Sequence, residues 1–204
     1  MDKMPDRNLA KYLSQLGVVK TDGVYEAFSH VRREDFLPKN VKDYAYLDSA
    51  LSIGYGQTNS QPYTVAFMLE LLEVERGQKV LDVGSGSGWT TALLANLVGK
   101  KGNVIGVEVV PELVSLGSEN LSKYNFSWAH IEEAGDIFGW PEKAPYDRIL
   151  VSASAKEIPK ALINQLAKNG IMVIPVRESI WRIIKTNGKI EKEEYPGFLF
   201  VPLV

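Results

Sequence analysis

Cysteine is absent from this sequence. That excludes disulfides, thiolate catalysis and cysteine-held metal, and it fits an intracellular protein. Histidine is nearly absent: His30 and His130 have no metal-like spacing, so no metal site is expected. A basic excess is missing too. The 23 Lys and Arg are set against 25 Asp and Glu, a net charge of −2, which argues against nucleic acid as a partner because phosphate neutralisation needs a basic surface. No apolar run approaches the roughly 20 residues that span a bilayer. The first residues, MDKMPDRNLAKYL, carry charges where a signal peptide has an apolar core. A cytoplasmic protein without membrane partners is expected. Internal repeats, low-complexity tracts and linkers are also lacking.

What is present matches one ordinary globular domain: 204 residues, 45% hydrophobic and 24% charged. The chain is organised around Lys79 to Thr91, KVLDVGSGSGWTT. Val80 to Val83 reads as a buried strand, Gly84, Gly86 and Gly88 as a tight turn, and Thr90 to Val98 as a helix. Strand, glycine turn and helix open a nucleotide-binding α/β unit. The glycines let backbone approach a ligand without Cβ atoms in the way. A dinucleotide site wants a further glycine where Trp89 stands, and a triphosphate loop wants a lysine that is missing. Alternate glycines preceded by an acid, Asp82, are what S-adenosylmethionine-dependent methyltransferases show. Glu108 ends the next strand, Val104 to Glu108, 24 residues after Gly84, near the offset at which an acid reaches ribose hydroxyls.

The remaining elements follow from periodicity. Residues 6–16 and 23–31 read as amphipathic helices, the second capped by Asp22. Arg32 and Arg33 read as a solvated turn. Asp43 to Gln61 is a long irregular stretch, of the kind that is usually functional. Pro62 to Glu73 is an apolar helix, for which Ser60 is a candidate N-cap. Pro111 opens a helix that runs to Lys123, and Trp128 to Ile131 is a weak third strand. Arg148 to Ser152 is a strand, Ala155 to Leu166 is helical with Pro159 in its first turn, and Gly170 to Val176 is a strand. Ile180 to Thr186 and Lys189 to Glu194 form a hairpin about Asn187-Gly188, and Phe198 to Leu203 a last strand. The pattern is an α/β doubly wound sheet with a modified antiparallel edge.

These blocks resemble, in order, the protein-L-isoaspartate (D-aspartate) O-methyltransferase family. Ser52 to Pro62, SIGYGQTNSQP, is similar to its diagnostic segment. Ala27-Phe28 with Val31 to Phe36 resembles its N-terminal signature, Val80 to Trp89 its glycine motif, and Gly135-Asp136 its adenine loop. Pro145 to Ile149, Glu157 to Pro159, Gln165-Leu166, Ile174 to Val176 and Phe200 to Leu203 resemble further blocks. The resemblance implies a Rossmann-like class I methyltransferase fold with a mostly parallel seven-stranded sheet. It comprises an N-terminal part over 1–61, holding helices and the active-site loop, and a core over 79–204. It implies methyl transfer from S-adenosyl-L-methionine, leaving S-adenosyl-L-homocysteine, to the free carboxylate of L-isoaspartyl or D-aspartyl residues in damaged proteins. The ester would then cyclise to a succinimide without further catalysis.

The same resemblance makes Ser60 the active-site residue, holding the substrate carboxylate, with Thr58, Gln61 and Tyr55 as substrate-binding neighbours. The loop from Tyr55 to Gln61 is expected to close over both ligands. Cofactor contacts are expected from Gln57, Asp82, Gly84, Ser85, Gly86, Gly88, Glu108, Val109, Asp136 and Ile137. A carboxylate with a reference pKa near ~4 is ionised at neutral pH, so no general base is needed. Isoaspartyl peptides and proteins are the expected partners of a monomer. The chain departs from the family's pattern at Asp82 (usually Glu), Trp89 (commonly Tyr), Asn59 (usually aliphatic) and Val176 to Ile184. These departures keep two other readings open: a related enzyme for a different peptide carboxylate, or a non-catalytic cofactor-binding homologue.

Overall fold

The described chain opens with short helices, whose apolar faces are buried against the rest of the protein. In the computed structural model, which describes residues 8–203, α1 (Leu9–Gln15) buries Leu9, Ala10 and Leu13. Asn8 caps it, accepting from the Lys11 amide at 3.0 Å. The start expected at residue 6 and the charged residues 1–7 lie outside the described residues. The cap of α2 (Asp22–His30) is Thr21, not Asp22. Thr21 is extended and accepts from the Val24 amide through its side chain, whereas Asp22 is already helical, where its charge favours the N-terminal dipole.

The stretch read as irregular contains more order than expected. After 3-10 turns over Arg33–Phe36 and Lys39–Tyr44, β1 (Leu51–Gly54) and β2 (Gln57–Asn59) pair as a small antiparallel hairpin with Tyr55 and Gly56 at its tip. Helix α3 (Pro62–Leu72) follows. Ser60 is not its cap. The free Tyr63 amide is satisfied by Asp48 Oδ1 at 2.8 Å, and Asp48 Oδ2 accepts from Gln61 Nε2 at 3.2 Å. An acid upstream thus does what an N-cap side chain ordinarily does.

The sheet is built from β3 (Lys79–Val83), β4 (Asn103–Glu108), β5 (Ala129–Glu133), β6 (Tyr146–Val151), β7 (Leu166–Val176), β8 (Ser179–Thr186) and β9 (Lys189–Pro196). Its order is β5-β4-β3-β6-β7-β8-β9. The first five strands are parallel and the last two antiparallel. Helices α4 (Trp89–Val98) and α5 (Pro111–Ser122) serve as crossovers. The chain leaves β3 in one direction across the sheet and returns through β6 to go the other way, and such a reversal opens a crevice at the strands' carboxyl ends. Alternation along β3 divides the core. Val80 packs with α4, while Leu81 and Val83 pack on the opposite face with Ile105, Val107 and Ile149.

Two expected elements are smaller than predicted. The helix α6 spans only Lys160–Gln165, because the backbone before it is taken up by the sheet: the Ala155 amide donates to the Pro175 carbonyl and the Ser154 amide to the Val201 carbonyl. Phe198 to Leu203 forms no strand, only a bridge between Ser154 and Pro202, since proline cannot donate to a ladder. The altered segment from Val176 to Ile184 is hairpin. Arg177 takes a positive φ of 56° at the β7–β8 turn, and Arg182 donates to the Leu71 carbonyl at 2.8 Å and pairs with Glu73 at 2.7 Å. Arg182 therefore stitches the end of α3 to the antiparallel edge.

The glycine turn is pressed against α5. A Cβ on Gly117 would lie 2.9 Å from the Gly86 carbonyl oxygen and 2.8 Å from Ile131 Cδ1; the first obstacle is backbone and cannot rotate away. Gly117→Ala is expected to destabilise the fold by about 1–3 kcal/mol, the usual cost of overpacking. Denaturant titration measures it, and an unchanged midpoint would mean that α5 backs away freely.

Candidate active site

A cavity of about 340 Å³ lies at the carboxyl ends of β3, β4 and β6. Gly84, Ser85, Gly86 and Ser87 form its floor, Glu108 and Val109 one side, and Ala134 to Gly139 the next. Ser152, Ala153 and Val201 to Leu203 close another side, and Gln57 to Ser60 stand opposite the glycine turn. The fold thus brings together the glycine turn, the strand-end acid, the 135–137 loop and the hydroxyl-bearing loop.

Glu108 is the best-satisfied acid here. Only 6% exposed, it accepts from the Gly86 amide through Oε2 at 2.9 Å, and from the Val109 and Val110 amides through Oε1 at 2.9 and 3.1 Å. One carboxylate thereby fixes both the glycine turn and the start of the next loop. Its oxygens keep lone pairs beyond these three bonds.

Asp82 differs from the expectation. Among the described residues it does not line the cavity; strand alternation turns it to the α4 side, where Oδ2 accepts from Thr90 Oγ1 and Thr91 Oγ1, both at 2.7 Å. It anchors the start of α4 behind the turn. Oδ1 has no partner. Burial pushes this carboxyl up to about 6; the two threonine bonds pull it down, and the nearby Glu108 charge pushes it further up. Gly88 also stands behind the wall. Its φ of 86° is left-handed, and a Cβ there would meet the Gly117 carbonyl oxygen at 2.9 Å.

The loop residues separate into three groups. Gln57, Thr58 and Ser60 line the cavity, together with Val109, Asp136 and Ile137 from the far walls. Thr58 and Ser60 also line a second hollow of about 330 Å³, bounded by Ala50, Gln61, Thr64, Leu199 and Phe200. Gln61 reaches only this hollow, and its amide is engaged at both ends, by Asp48 and by Thr64 Oγ1. Tyr55 lines neither cavity: it is the exposed hairpin tip, 59% accessible.

Arg33 is no solvated turn. It is 1% exposed, and its guanidinium donates to the carbonyls of Ala45, Leu47, Ser49, Asn59 and Ser60 and to Asn59 Oδ1. The loop is therefore tied to Arg33 at its start, through the carbonyls of Ala45, Leu47 and Ser49, and at its end, through Asn59 and Ser60. Sequence reasoning does not single out Arg33, Asn59, Asp48 or Gly117 as site-building residues. Only Gly117 carried a signal, as a glycine inside a helical pattern. None of the residues between 176 and 184 lines the cavity among those described, so that departure does not reach it.

A family model, Protein-L-isoaspartate(D-aspartate) O-methyltransferase (PCMT), matches residues 4–204. The chain belongs to that family. A protein-L-isoaspartate O-methyltransferase of Methanopyrus kandleri is 44% identical over 202 residues, covering 96% of this chain and 89% of the relative. One of Ignicoccus hospitalis is 43% identical over 204 residues, covering 97% and 96%. A crystal structure of a Plasmodium falciparum chain described as a beta-aspartate methyltransferase (PCMT), in complex with S-adenosyl-L-homocysteine, superposes with a TM-score of 0.84 at 29% identity, covering 97% of both chains. A structure described as protein-L-isoaspartate O-methyltransferase gives 0.88 at 26% identity, covering 96% of this chain and 65% of that one. The seven-stranded sheet with its antiparallel finish is the class I methyltransferase fold.

Within this methyltransferase fold, the buried acid of β3 makes stability depend on pH. Its folded value lies above the ordinary carboxylate range, so the folded state holds a proton that the unfolded chain has released. The stabilisation is present at low pH and is lost as pH rises through the window from about 4 to about 6. Relative to Asp82→Asn, the wild type should lose on the order of 2–3 kcal/mol across that window. Urea titrations of both proteins measure the difference, and parallel stability curves would contradict the assignment.

Proposed function

We propose that this protein is a protein-L-isoaspartate O-methyltransferase, methylating the free carboxylate of isoaspartyl and D-aspartyl residues in damaged proteins from S-adenosyl-L-methionine and so initiating their repair. The observation that carries the reading is one wall shared by two hollows. Thr58 and Ser60 border both the glycine-turn cavity and the hollow beneath Leu199 and Phe200, so a group bound in each meets at their hydroxyls.

The first cavity fits the cofactor. The glycine turn brings backbone, free of Cβ atoms, to its floor, and the carboxylate of Glu108 faces in with acceptor capacity to spare. Ser85 Oγ and Trp89 Nε1, both of residues on its wall, are buried without hydrogen-bond partners among the described residues, and such atoms call for a partner from outside the chain, an ordered water or a ligand. In this reading Glu108 accepts from the vicinal ribose hydroxyls. Asp136 accepts from the adenine amine, with the apolar side chains of Val109 and Ile137 alongside. Gln57, Gly84, Ser85 and Gly86 hold the methionine part, while Asp82 and Gly88 act from behind by fixing the turn. The cofactor, when bound, supplies an electrophilic methyl group.

The substrate side needs only placement. An isoaspartyl carboxylate, with a reference pKa near ~3.9, is already an anion at neutral pH, and among the described residues no histidine lines the cavity to act as a base. The Ser60 hydroxyl donates to one carboxylate oxygen without neutralising it, and Thr58 provides a second donor beside it. Gln61 serves by holding the start of α3. Alignment of this kind is worth up to ~7–11 kcal/mol in intramolecular models.

Incubation with tritiated cofactor should label an isoaspartyl peptide and leave its aspartyl twin unlabelled. Equal labelling would point to another carboxylate specificity, and cofactor binding without labelling to a non-catalytic homologue. Ser60→Ala is expected to lower turnover about a hundredfold, the scale of losing one positioned donor, with cofactor affinity within a few fold by calorimetry; unchanged turnover removes Ser60 from the mechanism. Glu108→Gln should weaken cofactor binding by about tenfold or more, since one acceptor becomes a donor facing backbone amides. Unaltered affinity would place the ribose elsewhere.

A further inference from the structure

We infer that Asn59 is a positioning residue that locks the Ser60 loop to the glycine turn through a single oriented amide. Its kinetic readout rests on the methyltransferase reading above, but its structural readout does not. Asn59 is 4% exposed and lies between two groups that are buried more deeply still, Arg33 at 1% and Ser87 at 2%. Arg33 Nε donates to Asn59 Oδ1 at 2.8 Å, and Asn59 Nδ2 donates to Ser87 Oγ at 3.2 Å. A guanidinium N–H can only donate. The amide must therefore turn its oxygen toward Arg33, and its NH2 is left facing the turn. The direction of the side chain is set by chemistry, not by a choice between two equivalent orientations.

The link continues at both ends. Arg33 Nη2 donates to the Ser60 carbonyl at 2.9 Å and to the Asn59 carbonyl at 3.2 Å, so the anchor of the amide is also the anchor of Ser60's own backbone. The Ser87 carbonyl accepts from Asn120 Nδ2 of α5 at 3.1 Å. Arg33, Asn59, Ser87 and Asn120 thus form one buried polar chain, running from the N-terminal region through the loop and the glycine turn to a crossover helix. Asn59 is the member that crosses the gap between the two walls of the cavity. Without it, Arg33 still holds the loop and Asn120 still holds the turn, but among the described residues no other side-chain hydrogen bond joins residues 51–60 to the glycine turn. Ser60 would then keep its fold yet lose its register relative to the floor.

Asn59→Leu keeps the branched shape and the number of side-chain heavy atoms and removes both bonds. Asn59→Asp keeps an acceptor for Arg33 and offers a second oxygen to the Ser87 hydroxyl, which can rotate to donate. In the leucine variant, hydrogen exchange at the amides of 57–61 without ligand should accelerate about tenfold or more, as expected for losing a buried polar link. Turnover of the isoaspartyl peptide should fall by about tenfold while affinity for S-adenosylhomocysteine stays within about threefold, a kcat effect and not a binding one. The aspartate variant should restore both. Ser87→Ala, which spares the Arg33–Asn59 bond, should reproduce the exchange change, and it decides the matter if the leucine variant does not fold. Combined, Asn59→Leu and Ser87→Ala should cost no more than the worse single change. The inference is overturned by wild-type exchange in both single variants, by an aspartate variant as impaired as the leucine one, or by effects that multiply in the double variant. If the wild type methylates neither peptide, the function proposed above falls and the exchange measurements still stand or fall alone.

Discussion

A buried guanidinium is the constraint on which the site depends. Removing a cation from water costs several kcal/mol unless its donors are satisfied, and burial pushes the Arg33 guanidinium down to about 9, with Asp48 opposing that shift. It remains charged at neutral pH. Six acceptors meet its N–H groups, five of them backbone carbonyls of residues 45 to 60. The cation and the loop each need the other: the carbonyls would be orphaned without the guanidinium, and the guanidinium without the carbonyls. Its charge also lies 5.2 Å from the Trp89 ring, which Phe28 meets edge-on. Helix α2, the loop and the start of α4 are thereby held about one point.

The two strand-end acids divide the work on the other wall. Glu108 is met by three backbone amides and faces the cavity, so it can shape the turn and still accept from a ligand. Asp82 is met only by two threonine hydroxyls and points into the protein, so it holds α4 and leaves an oxygen unmatched. The two acids lie near each other, one in the crevice and one behind it, because β3 and β4 are parallel neighbours paired in register, Asp82 beside Gly106 and Val83 beside Val107. That pairing requires small volume at Gly106, where a Cβ would crowd Thr91 Oγ1 at 2.8 Å.

Most of the fold was legible because its signals are local and strong. Short apolar runs, alternate glycines, Pro111 at a helix start and the Asn187-Gly188 turn, with φ of 49° and 82°, each reflect a rule that neighbours alone enforce. The cavity wall was legible for the same reason in Gly84, Gly86 and Glu108. Failures came where distant partners decide. Arg33 carried no sign of burial, since its acceptors are carbonyls, which every sequence has. Asp48 capping α3 spans a loop, so no local pattern marks it, and Ser60 looked like the cap by proximity. The motif places Asp82 toward a ligand, whereas the face of β3 on which it lies is set by alternation against α4. The end of the chain reads as a strand by composition, but its ladder is interrupted by Pro202.

The pinned loop has a thermodynamic side. Binding ordinarily costs the freedom of whatever segment must become ordered around the ligand. Here five carbonyls, those of Ala45, Leu47, Ser49, Asn59 and Ser60, are already held on Arg33, and the first turn of α3 is already closed by Asp48. That entropy is surrendered when the chain folds, and on this side of the cavity little is left to be surrendered when a ligand arrives.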